Sequence, residues 1–271
     1  MRRKIILSTI IISTFFLCRN ALSLLQKMGI SFKLREERIT VSWVLCLLIV
    51  LIVSGVLYGY KNTFNSLGLD KKIFKGISYG FVFSSPMILG YTMIGELKWQ
   101  WVSWISISAI FFWAAMEEVL FRGFLFGQLF KKANWRFVPA ALLNAVIFGM
   151  GHLYQGNSFE HTAGVFAITL MGGAWFAWLY IEWDSNLWVP ISLHFFMNLS
   201  WQLFAIGDTA LGGWGANFFR IMTILLSVVL TIAYRQSEGG FLSFPKSKQK
   251  SQKTPTSMLP DLQVSTELNQ Q

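Results

Sequence analysis

Apolar residues in this chain come in long unbroken blocks. They do not alternate as in a strand, nor do they form the one-sided stripe of a soluble helix. Blocks able to cross a bilayer are expected at about 4–18, 41–60, 76–95, 101–130, 137–154, 161–182, 187–206 and 214–234. The first is the shortest. The fourth is long for one crossing and is expected to tilt or break. From Gln236 the text turns polar, with FPKSKQKSQKTPTSMLPDLQVSTELNQQ at its end, and offers little to bury. Residues 236–271 are therefore expected to be a disordered tail. The pattern predicts an all-α, polytopic transmembrane helix bundle of about eight membrane helices.

Composition sharpens that picture. Of 271 residues, 54% are hydrophobic and only 13% are charged, against about 25% charged in soluble domains. A net charge of +10 would ordinarily raise nucleic acid as a partner. Here the basic residues sit in the short polar breaks and in the tail, as topology requires of a membrane protein, so no nucleic-acid partner is expected. The expected partners are the lipid bilayer and a peptide or protein in or at it.

Arg235, Lys246, Lys248, Lys250 and Lys253 put the C-terminus in the cytoplasm. Alternation then places Lys131, Lys132 and Arg136 inside, with Lys61, Lys71, Lys72, Lys75 and the opening MRRK. Glu160 and Asp208 fall in outer loops. Residues 19–40 conflict with this, because Arg19, Lys27, Lys33, Arg35 and Arg38 would lie outside. Either the first block does not span or 19–40 is an interfacial helix. MRRKIILSTIIISTFFLC resembles a signal peptide but lacks the small residues of a cleavage site, so an uncleaved first helix is expected. Cys18 and Cys46 match no metal or redox spacing and read as small buried side chains. Gly123 and Gly127, and the Gly172–Gly173 pair, read as sites of close helix packing.

Candidate chemistry begins at residues 114–126, AAMEEVLFRGFLF, where Glu117, Glu118 and Arg122 interrupt one of the most apolar regions. An ionisable side chain there costs roughly 2.5 to 3.5 kcal/mol unless it is paired or hydrated. Two of the three histidines also lie within apolar blocks, in Phe148-x-x-x-His152 and His194-x-x-x-Asn198. Residues four apart share a helix face, so Glu118 pairs with Arg122 and His194 with Asn198. By the helical rise, Glu117 lies about 20 Å and His152 about 22 Å from the inner ends of their helices, and His194 and Asn198 about 10 to 17 Å.

Each piece alone has a structural explanation: an ion pair, a packing histidine, an interhelical hydrogen bond. Together, at one depth, they point to one shared cavity. A Glu and a His around a water make a general base, and a His and an Asn side by side can donate to an oxyanion. The same groups could hold a divalent metal such as zinc, through Glu117, His152 and His194. No HExxH, GxSxG or Gly-rich phosphate loop is present.

The set Glu117-Glu118-x-x-x-Arg122, Phe148-x-x-x-His152 and His194-x-x-x-Asn198 resembles the motifs of the CPBP intramembrane proteases, the family of CAAX prenyl endopeptidases and bacteriocin-processing or immunity proteins. The resemblance covers roughly residues 100–205. It implies that Glu117 activates water with His152 and that His194 and Asn198 form the oxyanion hole. By the same resemblance Arg122 is structural or substrate-orienting, and Glu118 is the second acid of the motif. It implies an endopeptidase of membrane-associated peptides, with CAAX-box processing among the substrates and metalloprotease chemistry still open beside a metal-free route. If the chain is bacterial, the plasma membrane is its site. The implied organisation is an N-terminal apolar segment and basic linker over 1–40 and accessory helices over 41–99. The protease core follows over 100–205, then the last membrane helix over 206–235 and the tail over 236–271. The competing readings are a non-catalytic immunity or binding protein and a transporter with a Glu/His proton relay.

Overall fold

A backbone in hydrocarbon must satisfy its own N–H and C=O groups, and a helix does so within one segment. The computed structural model describes residues 2–30 and 35–239, and among these there is no strand. Eight main helices follow in order. They are α1 (Arg2–Lys27), α2 (Arg35–Tyr58), α3 (Ile73–Ile94), α4 (Trp104–Lys131), α5 (Phe137–Met150), α6 (Phe159–Glu182), α7 (Trp188–Leu203) and α8 (Trp214–Ser237). Short helical turns at Tyr60–Asn62 and Thr63–Leu67 join α2 to α3. The expected disordered tail lies outside the described residues from 240 onward; its first residues, Gln236 and Ser237, end α8.

Seven described helices are long and apolar enough to cross a membrane, α5 counting together with the turns that continue it to Gln155. The first corrects the expectation. It runs to Lys27, so Arg19 and its neighbours extend a 26-residue helix and do not begin a basic linker. The seventh expected span, α7, has only 16 residues. At about 24 Å it is shorter than a hydrocarbon core of about 30 Å. Protein covers its ends: Leu187 N–H donates to Gly68 O at 3.0 Å, and Lys98 N–H to Leu203 O at 2.8 Å. A helix enclosed by protein has no need to reach both interfaces.

α7 lies between α3 and α4, while α5 pairs with α6, α1 with α2, and α8 with α3. The α3–α7 contact depends on glycine. A Cβ on Gly80 would stand 2.6 Å from Leu193 N, and one on Gly76 would stand 2.7 Å from Trp188 C. At that approach Ser192 Oγ donates to Gly76 O at 2.7 Å. α8 is fastened by a ladder of buried hydroxyls one turn apart. Thr223 accepts from Met87 N–H, Ser227 from Trp175 Nε1 and Thr231 from Trp183 Nε1. Cys18 and Cys46 are buried free thiols where α1 meets α2, and Cys46 Sγ donates to Cys18 O at 3.1 Å. Outward-facing Leu48, Ile52 and Val56 form one stripe of α2 for lipid.

Of the glycines expected to mediate helix packing, Gly173 does so, 2.9 Å in projected Cβ distance from Ala145 Cα, whereas Gly172 faces open space. Gly123 and Gly127 instead admit Leu67, Leu187 and Tyr180 at the Lys131 end of α4. At that end Lys131 Nζ donates to Tyr180 Oη at 2.7 Å and to Ser66 O at 3.0 Å, locking the end of α4 against the Thr63–Leu67 turn.

Candidate active site

Helix α4 carries three of the expected residues and is not one uniform helix. Ser103 caps it, accepting from Ser106 N–H at 3.2 Å, and α-type bonding continues to Glu118. Val119–Phe126 is then π-helical, with every one of its eight residues buried. Such wide turns are rare and occur often at functional sites. Helices α1, α2, α5 and α6 all pack on this stretch. Gln128 Nε2 donates to Gly123 O at 3.0 Å, engaging a carbonyl within the wide segment.

The two adjacent glutamates have different surroundings. Glu118 is wholly buried and its Oε1 accepts from Arg122 Nη1 at 2.9 Å. The same oxygen lies 2.8 Å from Nδ1 of His194 on α7, so with an ionised carboxylate Nδ1–H is the donor. Arg122, 1% exposed, is enclosed by aromatic rings. Its guanidinium carbon lies 4.4 Å from the Phe148 centroid, 5.1 Å from Phe176 and 5.9 Å from Phe121. Desolvated cation–π contacts of this kind are worth about 2 kcal/mol. Glu117 is a quarter exposed, and its Oε2 stands 3.9 Å from His194 Nε2. The imidazole thus has one nitrogen fixed by the buried acid and the other turned to the open one, and its ring packs edge-on against Phe176 at 5.6 Å.

Asn198 follows His194 by one turn, is exposed, and makes no hydrogen bond within the described residues. His152 lies just past the end of α5 and is half-buried. Its Nδ1 lies 2.8 Å from Phe148 O and its ring 4.6 Å from the Phe148 ring. Donation from Nδ1–H to that carbonyl leaves Nε2 as the acceptor. Glu117, Glu118, Arg122 and His194 therefore form one connected group. His152 reaches it through Phe148, whose opposite neighbour is Arg122, and no hydrogen bond or ion pair joins His152 to the carboxylates. Among the described residues no three His, Cys, Asp or Glu side chains converge as a metal site needs. The ligand set Glu117, His152 and His194 anticipated for a metal is not assembled, and the residues as arranged do not fit one. Phe176 completes the cage around Arg122 and was not anticipated. It sits in FAWLY, where aromatic residues are the norm.

Residues 99–200, which contain all six of these side chains, match the family model described as type II CAAX prenyl endopeptidase Rce1-like. The chain is also 37% identical over 83 residues to a curated Bacillus subtilis protein named "Putative membrane peptidase YdiL". That match covers 31% of this chain and 30% of the relative, so the chain spans under a third of the relative's length. No solved structure matches.

Proposed function

From the match of residues 99–200 to the Rce1-like family model, we propose that the chain is an intramembrane endopeptidase of the CPBP family using Glu117 as its base. The observation that carries this reading is the division of labour between adjacent acids. Glu118 is committed to Arg122 and His194, whereas Glu117 is open and next to the free nitrogen of that histidine.

In the proposed reaction a water held between Glu117 and His152 gives its proton to Glu117 as its oxygen attacks the scissile carbonyl carbon. The carbonyl π bond opens and its electron pair becomes the oxyanion. Asn198 donates its amide N–H to that oxygen, and His194 donates from Nε2. With Nδ1–H directed at Glu118, Nε2 is a donor only in the doubly protonated ring, because the neutral tautomer would accept there. Collapse of the intermediate breaks the C–N bond, and the proton on Glu117 passes to the departing amine. Glu118 and Arg122 are positioning residues, since they act through His194.

By the distribution of basic loops, Lys131, Lys132 and Arg136 face the cytoplasm with the C-terminus. The test is cleavage of membrane peptides by purified protein in detergent, wild type against Glu117→Gln. Loss of cleavage with unchanged folding is expected. Cleavage that survives the substitution refutes the assignment. A wild type that binds peptides without cutting them makes the chain a binding or immunity protein.

A further inference from the structure

Helix α1 lies outside the residues that match the family, yet it extends to the site. Ile11, Phe15 and Cys18 are fully buried along one side of it. The Phe15 ring sits 5.2 Å from Phe121, which in turn sits 5.0 Å from Phe148. One helical turn past Phe15, Arg19 lies on the same side. Its Nη2 is 3.7 Å from where a Cβ on Gly151 would stand. The residue after Gly151 is His152.

Depth agrees with this contact. Lys4 and Ser8 of α1 share one surface groove with Trp135, Arg136 and Pro139 at the start of α5, so the two helices begin at a common level. From those starts Arg19 and His152 are each about 22 Å along, and Glu117 is about 21 Å from Lys131. Arg19 is exposed and makes no hydrogen bond or ion pair within the described residues. A permanent cation this far into a span is unfavourable in lipid. An arginine of α1 that only sought headgroups would extend along its helix toward the outer interface. This one turns over the Gly151–His152 corner.

We propose that Arg19 binds a carboxylate of the peptide held at the site, and so selects substrates with an anionic group near the scissile bond; the assignment rests on the protease reading above. The planar guanidinium takes a carboxylate through two parallel hydrogen bonds, which an amide cannot reproduce. Two sources share this chemistry, an acidic side chain and a C-terminal carboxylate. The contact would also orient the peptide, since it fixes one group at the His152 corner while the amide to be cut crosses Glu117. The N-terminal helix then supplies specificity to a core that supplies chemistry.

The probes are short Leu/Ala peptides with one Glu scanned along the sequence and a matched Gln series, each as free acid and as C-terminal amide. Binding is measured to the Glu117→Gln protein in nanodiscs, with Arg19 intact, Arg19→Gln or Arg19→Lys, and cleavage is measured with Glu117 intact. With Arg19 present, one carboxylate source should give about 10- to 100-fold tighter binding than its amide counterpart. Arg19→Gln should abolish that ratio and Arg19→Lys restore part of it. The Glu series identifies a side chain and the free-acid series a C-terminus. A ratio indifferent to Arg19→Gln overturns the proposal, as does a uniform loss for every peptide or no peptide binding at all. An effect confined to nanodiscs with anionic lipid makes Arg19 a headgroup ligand and also overturns it. Peptides that bind with the expected ratio but are never cut refute the protease reading and leave the Arg19 assignment standing.

Discussion

Replacing Arg122 by Met removes a cation while roughly keeping its length. The side chain is 1% exposed, so water has little access to repair the loss. One charge-assisted hydrogen bond of 2.9 Å disappears, together with the ring contacts to Phe148, Phe176 and Phe121. Glu118 Oε2 already has no hydrogen-bond partner among the described residues, so His194 alone would remain to support the buried carboxylate. Breaking a buried pair by removing one member costs about 3 to 5 kcal/mol. A neutral interhelical hydrogen bond in a membrane is worth only about 0.6 kcal/mol on average. The two magnitudes are far enough apart to be distinguished. Equilibrium unfolding in mixed micelles of Arg122→Met, Glu118→Gln and the double variant gives the coupling directly. Each single change should destabilise by about 3 kcal/mol or more, and the double should fall short of their sum by about 1 to 3 kcal/mol. Single effects below about 1 kcal/mol, or strict additivity, would refute the claim that the pair is a desolvated unit.

Four further outcomes are expected. Asn198→Ala should lower kcat by about 100- to 1000-fold and change KM little, because its amide acts on the transition state; a KM effect alone would make it a binding residue. Cleavage should survive exhaustive chelation, since among the described residues no three His, Cys, Asp or Glu side chains converge; stoichiometric zinc whose removal abolishes activity would instead make His152 and His194 ligands. Gly80→Ala should destabilise by about 1 to 3 kcal/mol in the same unfolding assay, because the new methyl meets the backbone of α7; a neutral result would mean that α3 and α7 can separate freely. Cysteines placed at Lys132 and Asn157 should be labelled from the cytoplasmic and outer faces respectively, and the reverse pattern would invert the topology.

The helix positions were largely legible because spanning a bilayer demands long apolar blocks, and seven described helices are such blocks. The short α7 was legible as apolar text, but its enclosure was not, since Lys98 and Gly68 meet its ends only through the fold. The extent of α1 was obscured by charge: Arg19 and Lys27 mark a boundary on a hydropathy scale, yet both are good helix formers. At the site, spacing paired Glu118 with Arg122 and His194 with Asn198. It could not assign burial to Glu118 and exposure to Glu117, because neighbouring residues point about 100° apart and only the facing helices decide which side is dry. Nor could it place Phe176, or bring Arg19 to Gly151, since those depend on helices far apart in the chain. The π-helical stretch VLFRGFLF has no local signature. Apolar residues on every side suit any helical pitch, and packing from four other helices selects the wide one.

That wide stretch has a consequence for tracing ancestry. It acts as a phase shifter: the N-terminal half of α4 presents Glu117 and Glu118, the C-terminal half presents Gln128 and Lys131, and the angle between the two faces is set by residues 119–126. A descendant that lost one residue from 123–126 would keep every motif letter and rotate one half of α4 against the other by about 100°. In comparing such genes, a gap at 123–126 is therefore a stronger mark of lost chemistry than many substitutions outside the motifs.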